Sequence, residues 1–196
     1  DQAPAISFVA SAGLALGEFT ALAAADAIGF EDGLRVVRRR GELMQEACEA
    51  SYGGMAAIVG LDEEAVRGVC EQAGVSLANL NCPGQIVLSG DADKMDAACE
   101  AAKAAGAKRA IPLPVAGAYH SPLMQPSQAG LAEALAKVEL REPSMPVYSN
   151  VTGQAHAGAA SIPGTMVDQV TSSVRWEACI RAMIAVGVTR FIAHGP

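Results

Sequence analysis

Aromatic residues are scarce in this chain: one Trp, three Tyr and four Phe among 196 residues. Since 51% of the residues are nonetheless hydrophobic, the core has to be built from aliphatic side chains and alanine. Such a core suits helices packed closely on a parallel sheet. Long apolar runs are also missing. None reaches the roughly 20 residues needed to span a bilayer, and the opening DQAPAIS has neither a basic start nor a cleavage pattern. Neither a membrane segment nor a signal peptide is expected. Basic charge is in short supply: 14 Lys and Arg against 21 Asp and Glu leave a formal charge of −7. That balance argues against nucleic-acid binding, which needs a basic footprint on the protein. The five cysteines, Cys48, Cys70, Cys82, Cys99 and Cys179, form no CxxC pair, and no Cys/His cluster has metal-ligand spacing. Reduced thiols in a cytoplasmic protein are the expectation.

What is present alternates strand and helix, the pattern of an α/β fold. Ile6 to Ala10 reads as a strand, followed by a Gly-x-x-x-Gly turn and a helix from Glu18 to about Ile28. A second helix runs from about Glu31 to Ala50, with an apolar seam of Leu34, Val37, Gly41, Met44 and Cys48. Arg40 lies on that seam; Arg38 and Arg39 fall off it. From Gly53 the rhythm changes to strand 55–61, helix 62–73, strands 75–80 and 85–90, helix 91–105 and strand 109–115. The turn Asn81-Cys82-Pro83-Gly84 joins the middle two strands. The order βαββαβ is that of a ferredoxin-like unit. Residues 53–114 are therefore expected to form a small inserted subdomain, with 1–52 and 115–196 forming a larger parallel-sheet subdomain of α/β-hydrolase type. The larger part continues with a helix at 122–138, a strand at 146–151, a small-residue loop at 153–164, helices at 163–170 and 174–186, and a last strand at 189–193. Three strands are few for such a layer, so further chain is expected before Asp1 and after Pro196.

Three elements carry chemistry. The first is Gly13-Leu14-Ala15-Leu16-Gly17. A nucleophile elbow places its reactive residue on a strained strand-to-helix turn between glycines, with the next N–H aimed at the forming oxyanion. Here the centre is Ala15, whose methyl group cannot attack a thioester. The five residues alone fit an ordinary tight βα turn equally well. The second is His120, in a loop after a strand, where a histidine can act as general base or simply be a satisfied loop side chain. His156, in the small-residue loop, is expected to be solvated, and His194 to be structural. The third is Arg40. A seam arginine is costly unless it meets an anion, and a guanidinium binds a carboxylate through two parallel bonds. The alternative is an arginine that snorkels to the surface.

Taken with GLALGEFTAL, RVVRRRGELMQEA, GGMAAIVGLD, NCPGQIVLSGD, KRAIPLPVAGAYHSPLM, PVYSNVTG, DQVTSSVRWE and the terminal HGP, these elements resemble the malonyl-CoA:acyl-carrier-protein transacylases and the acyltransferase domains of fatty-acid and polyketide synthases. The resemblance covers nearly the whole chain. It implies that position 15 belongs to a nucleophilic serine, that His120 is the base, and that the carbonyl of Gln169 orients it. It makes the Leu16 N–H half of an oxyanion hole and Arg40 the ligand of the malonyl carboxylate. Met44, Asn81, Gln85 and Tyr119 would line the pocket, and GAYH resembles the GAFH form associated with malonyl rather than methylmalonyl selection. The implied partners are coenzyme A thioesters and acyl carrier protein, with no cofactor beyond these substrates. Arg38, Arg39, Lys108 and Arg109 are the expected basic dock for an acidic carrier. The chain departs from the pattern in three places: Ala15 replaces serine, the GQG segment that supplies the other oxyanion donor is missing, and Ala193 stands where the family has Glu.

Three readings of Ala15 stand open: a serine-to-alanine change that traps substrate, a scaffold that binds coenzyme A or carrier protein without turnover, and a non-catalytic interaction fragment. A thioesterase of α/β-hydrolase type is the rival enzyme class.

Overall fold

A computed structural model describes residues 7–194, with six strands and seven α-helices in an α/β arrangement. The elbow end of the molecule rests on a two-stranded parallel pair, β1 (Ser11–Ala12) and β6 (Val147–Tyr148). Helix α1 (Gly17–Ala24) follows β1 directly. It packs with α2 (Phe30–Glu49), α5 (Pro126–Leu135) and α6 (Ile162–Asp168) around an aliphatic core containing Leu22, Val36, Leu43, Met124, Leu131 and Ile162. Helix α7 (Trp176–Ala185) covers the Tyr148 side of the pair through Cys179 and Met183.

Between α2 and α5 the chain forms a four-stranded antiparallel sheet. Its strands are β2 (Gly53–Val59), β3 (Ser76–Cys82), β4 (Gln85–Asp91) and β5 (Arg109–Pro112), in spatial order β3-β4-β2-β5. Helices α3 (Glu63–Ala73) and α4 (Met95–Ala104) pack on it through Val66, Val69, Ala98 and Ala102. Local rules explain these elements well. Asp62 caps α3 by accepting from the Ala65 N–H at 2.9 Å, and Gly74 ends the helix in the left-handed conformation, φ 66°. At the other edge, Pro112 and Pro114 lack the N–H that a longer β5 would need, so β5 stops at Pro112 rather than at Val115.

Several expected elements differ. In the run expected as a first strand, Ile6 lies outside the described residues and Phe8 and Val9 are exposed; pairing begins only at Ser11. The strand expected over 146–151 shrinks to two residues because the chain turns at Ser149, whose carbonyl accepts the Gly153 N–H. Residues 189–193 form no strand: Phe191 and Ile192 are exposed, and no described strand lies alongside to pair with them. The buried face of α2 is rotated from the expected seam. Leu34 and Gly41 are exposed, Val37 is half-buried, and Val36, Leu43 and Ala47 take the buried positions. The cause is the close approach of α5 at Gly130, where an added Cβ would lie 2.6 Å from Leu43 Cδ2. Among the described residues no helix is long and apolar enough to cross a membrane, and all five cysteines are free.

Candidate active site

The elbow begins where β1 ends. A Cβ on Gly13 would sit 1.9 Å from the Gly17 carbonyl oxygen, so the turn is too tight for any side chain at position 13. Gly17 meets nothing within 4 Å, and the glycine requirement expected at both ends holds sterically only at Gly13. Ala15 takes φ 52°, a left-handed conformation that a non-glycine residue adopts only where its surroundings impose it. Those surroundings are polar. The Ala15 N–H donates to Asn150 Oδ1 at 2.6 Å, Asn150 Nδ2 donates to the Gly13 carbonyl at 2.9 Å, and Gln169 Nε2 donates to the Ala15 carbonyl at 3.0 Å. Among the described residues the Leu16 N–H makes no hydrogen bond.

His120 also has a positive φ, 57°, and is almost fully buried. Its Nδ1 lies 2.9 Å from the Gln169 carbonyl. A carbonyl only accepts, so in the neutral ring Nδ1 carries the proton and Nε2 is the basic nitrogen. Burial pushes the imidazole pKa down to about 4; the carbonyls of Gln169 and Ser172 oppose that shift, and the Arg40 charge adds to it. The ring is therefore neutral at neutral pH. It borders a cleft of about 490 Å³ lined also by Leu77, Val151, Ser172, Arg67 and Arg175. Ala15 and Arg40 are not among the residues lining that cleft.

Arg40 is 7% exposed. Its guanidinium donates to Gln169 Oε1 at 3.2 Å, while its Nε is buried without a partner. Among the described residues no carboxylate is in ion-pair contact with it. Burial lowers its pKa, and the nearby Glu18 and Tyr119 act in the opposite direction. Tyr119 packs between the helical core and the face of the sheet, and its pKa is raised by burial and by the Cys48 thiol. Met44 is buried in the helical core beside Arg40's helix face. Asn81 and Gln85 stand at the β3–β4 hairpin, where Gln85 is exposed and Asn81 Oδ1 is buried and unpaired. No hydrogen bond among the described residues joins either to Ala15, Arg40 or His120.

The sequence reading missed what lies beneath the elbow. Glu18 is fully buried and accepts from the Asn150 N–H at 3.0 Å, from Gln169 Nε2 at 2.6 Å and from His156 Nε2 at 2.9 Å. His156 was expected in solvent; its side chain is instead completely buried against that carboxylate. An acidic residue in a helix's first turn is ordinary on its own, and nothing in PVYSNVTG marks Asn150, so no local signal pointed to either. The expected basic dock is also altered: Arg38 and Arg39 are paired with Glu42 and Glu46 of their own helix, while Lys108 and Arg109 are exposed at the edge strand.

The family model described as "Acyl transferase domain" matches residues 9–195. The chain belongs to the acyl transferase domain family. It is 47% identical over 191 residues to the malonyl CoA-acyl carrier protein transacylase of Bacillus subtilis, covering 95% of this chain and 60% of that protein. An acyl carrier protein S-malonyltransferase from Vibrio cholerae superimposes with a TM-score of 0.90 at 41% identity, over 93% of this chain and 61% of that one. A malonyl-transacylase solved with a type II polyketide acyl carrier protein superimposes equally well, TM-score 0.90 at 38% identity, over 94% of this chain and 61% of that one. This acyl transferase chain thus spans about three fifths of the length of the relatives it matches.

Proposed function

We propose that this chain is the acyl-binding part of a malonyl-CoA:acyl-carrier-protein transacylase, with alanine at the nucleophile position. The observation that carries the reading is Arg40. A buried guanidinium with an unpaired Nε and, among the described residues, no carboxylate in ion-pair contact is an unfavourable arrangement in a resting protein. A malonyl carboxylate would relieve it, and an acetyl group would not. Tyr119 and Met44 border this position, and Asn81 and Gln85 are assigned to the lining of the same substrate pocket. The partners are a coenzyme A thioester and acyl carrier protein, and the setting is cytoplasmic. Within this reading residues 53–114 form a ferredoxin-like unit inserted into a larger layer of 1–52 and 115–196; the antiparallel order β3-β4-β2-β5 supports it.

In the reaction that this family geometry serves, a serine hydroxyl at position 15 gives its proton to His120 Nε2 and attacks the thioester carbonyl. The oxyanion accepts from the Leu16 N–H beside the N-terminus of α1. Collapse expels the coenzyme A thiolate, which takes the proton back from His120. The phosphopantetheine thiol of the carrier then reverses these steps and leaves with the malonyl group. Thioester exchange of this kind draws on no metal or redox chemistry. With Ala15 the covalent step is closed and binding remains. The second reading, a scaffold that binds acyl thioesters or carrier protein without turnover, is favoured by the alanine methyl itself.

Incubation of Ala15→Ser with radiolabelled malonyl-CoA tests the assignment. Covalent label is expected on the variant and none on the parent or on Ala15→Ser/His120→Ala. Malonate released to water instead of malonyl-carrier would identify a thioesterase. The parent chain should bind malonyl-CoA more tightly than acetyl-CoA in calorimetry. Equal affinities, or no heat with either, would remove Arg40 from the role given to it.

A further inference from the structure

Gln169 is hydrogen-bonded to Ala15, Arg40 and His120, and to Glu18 beneath them. Its backbone carbonyl accepts from His120 Nδ1 at 2.9 Å. Its side-chain Oε1 accepts from Arg40 at 3.2 Å, and its Nε2 donates to the Ala15 carbonyl at 3.0 Å and to Glu18 Oε2 at 2.6 Å. Both amide hydrogens and the amide oxygen are therefore in use. Turning the amide over would set its NH2 against the Arg40 guanidinium and its oxygen against the Glu18 carboxylate, two repulsions in place of two charge-assisted bonds. The orientation of Gln169 is thus dictated from one side by Arg40 and from the other by Glu18.

Glu18 is itself held in place. It is 0% exposed, and its Oε1 accepts from His156 Nε2 at 2.9 Å. A carboxylate only accepts, so Nε2 carries a proton. The other ring nitrogen, Nδ1, lies 3.2 Å from Oγ1 of Thr165 in α6, whose single hydroxyl hydrogen also has the Ser161 and Ile162 carbonyls within reach. The chain of contacts runs from α6 through His156 and Glu18 to Gln169, and from there to the elbow, the base and the guanidinium. Such a path of buried hydrogen bonds holds a side chain more tightly than packing alone.

We propose that Glu18 and His156 form a positioning pair for the acyl-transfer site: they lock the Gln169 side chain, and through that residue the guanidinium of Arg40, the left-handed Ala15 and the backbone carbonyl that accepts from His120. Neither residue touches the thioester in this account. The proposal rests on the transacylase reading for its activity readout, but its structural readouts do not depend on turnover.

Two measurements test it. The first is ¹⁵N NMR of the histidine rings in the Ala15 parent, Glu18→Gln, His156→Ala and His156→Gln. The parent should show His120 as the pure Nδ1–H tautomer. Glu18→Gln and His156→Ala should show a mixture, and His156→Gln, whose amide can still donate to Glu18, should restore the parental spectrum. The second is the ratio of malonyl-CoA to acetyl-CoA affinity, which should fall about tenfold in Glu18→Gln and His156→Ala while acetyl-CoA binding is unchanged. A parental tautomer and a parental ratio in both variants would overturn the proposal. So would equal losses for the two thioesters, the mark of a merely structural defect. Should Glu18→Gln not fold, the His156 pair and Thr165→Val carry the same comparison. If Ala15→Ser takes no label while the tautomer behaves as expected, the reaction assignment fails and the positioning pair stands.

Discussion

Residues 53–112 and the elbow at Gly13–Gly17 belong to one chain but are held by different forces. In the sheet, seven consecutive residue pairs join β2 to β4, from Gly53↔Asp91 to Val59↔Gln85. Its packing side is aliphatic: Ile58, Val66, Leu77, Leu88 and Ala98. Under the elbow, β1 and β6 share only two pairs. There the chain is fixed by Glu18, Asn150, His156 and Gln169, whose bonds join residues 132 to 154 positions apart. Burial of apolar surface is roughly additive and tolerant of geometry, whereas a buried polar network fails as a unit when one member is lost. The sheet is accordingly built to be stable and the elbow to be exact.

That contrast can be broken in order of expected effect. Gly13→Ala places a methyl group 1.9 Å from the Gly17 carbonyl oxygen, and we expect a loss of more than about 4 kcal/mol or failure to fold. Urea unfolding checks it, and a near-parental midpoint would mean that the elbow is plastic. Glu18→Ala and Leu88→Ala come next. The first leaves three buried donors without an acceptor and should cost about 3–5 kcal/mol. The second opens a cavity in the sheet layer and should cost about 2–5 kcal/mol. The two are alike in stability but should separate in binding: Glu18→Ala weakens malonyl-CoA by at least tenfold and Leu88→Ala leaves it at the parental value. Similar binding losses in both would erase the distinction between the regions.

The third effect is one of pH. The folded-state pKa of His120, about 4, lies below the ordinary value of 6.5. Above pH 6.5 the ring is neutral in folded and unfolded chains, and its contribution is unaffected by pH. Between pH 6.5 and about 4 the unfolded chain binds a proton that the folded one refuses. Stability therefore falls as the pH falls, by a total on the order of 3 kcal/mol from this residue. Unfolding of the parent and of His120→Gln across pH 4–7 isolates it: the difference between them should narrow toward acid. The smallest effect is at the surface. Arg38 and Arg67 form exposed pairs with Glu42 and Glu63, and replacing either by Ala should move Tm by no more than about 2 °C. A larger shift from these than from Glu18 would reverse the comparison.

The same division decides what could be read from the chain beforehand. The long helix expected over 31–50 is found at Phe30–Glu49, and the Asp62 cap and the hairpin before Gln85 fall where local chemistry puts them. Those elements are specified by neighbours in sequence. The strand expected at 189–193 depends on a partner strand alongside; among the described residues none lies there, and its apolar residues are exposed. His156 reads as a loop residue because the carboxylate that buries it is 138 positions away.

By itself the sequence determined the alternation of strands and helices, the elbow with its alanine, and the candidate trio of position 15, Arg40 and His120, because each leaves a local mark in spacing, turn chemistry or residue type. The tertiary structure alone decided that the Gln169 side-chain amide joins Ala15 to Arg40 and that Glu18 and His156 lie sealed beneath them. Those roles arise where distant segments exclude water together, and a buried polar group then has to find its partner in space rather than along the chain.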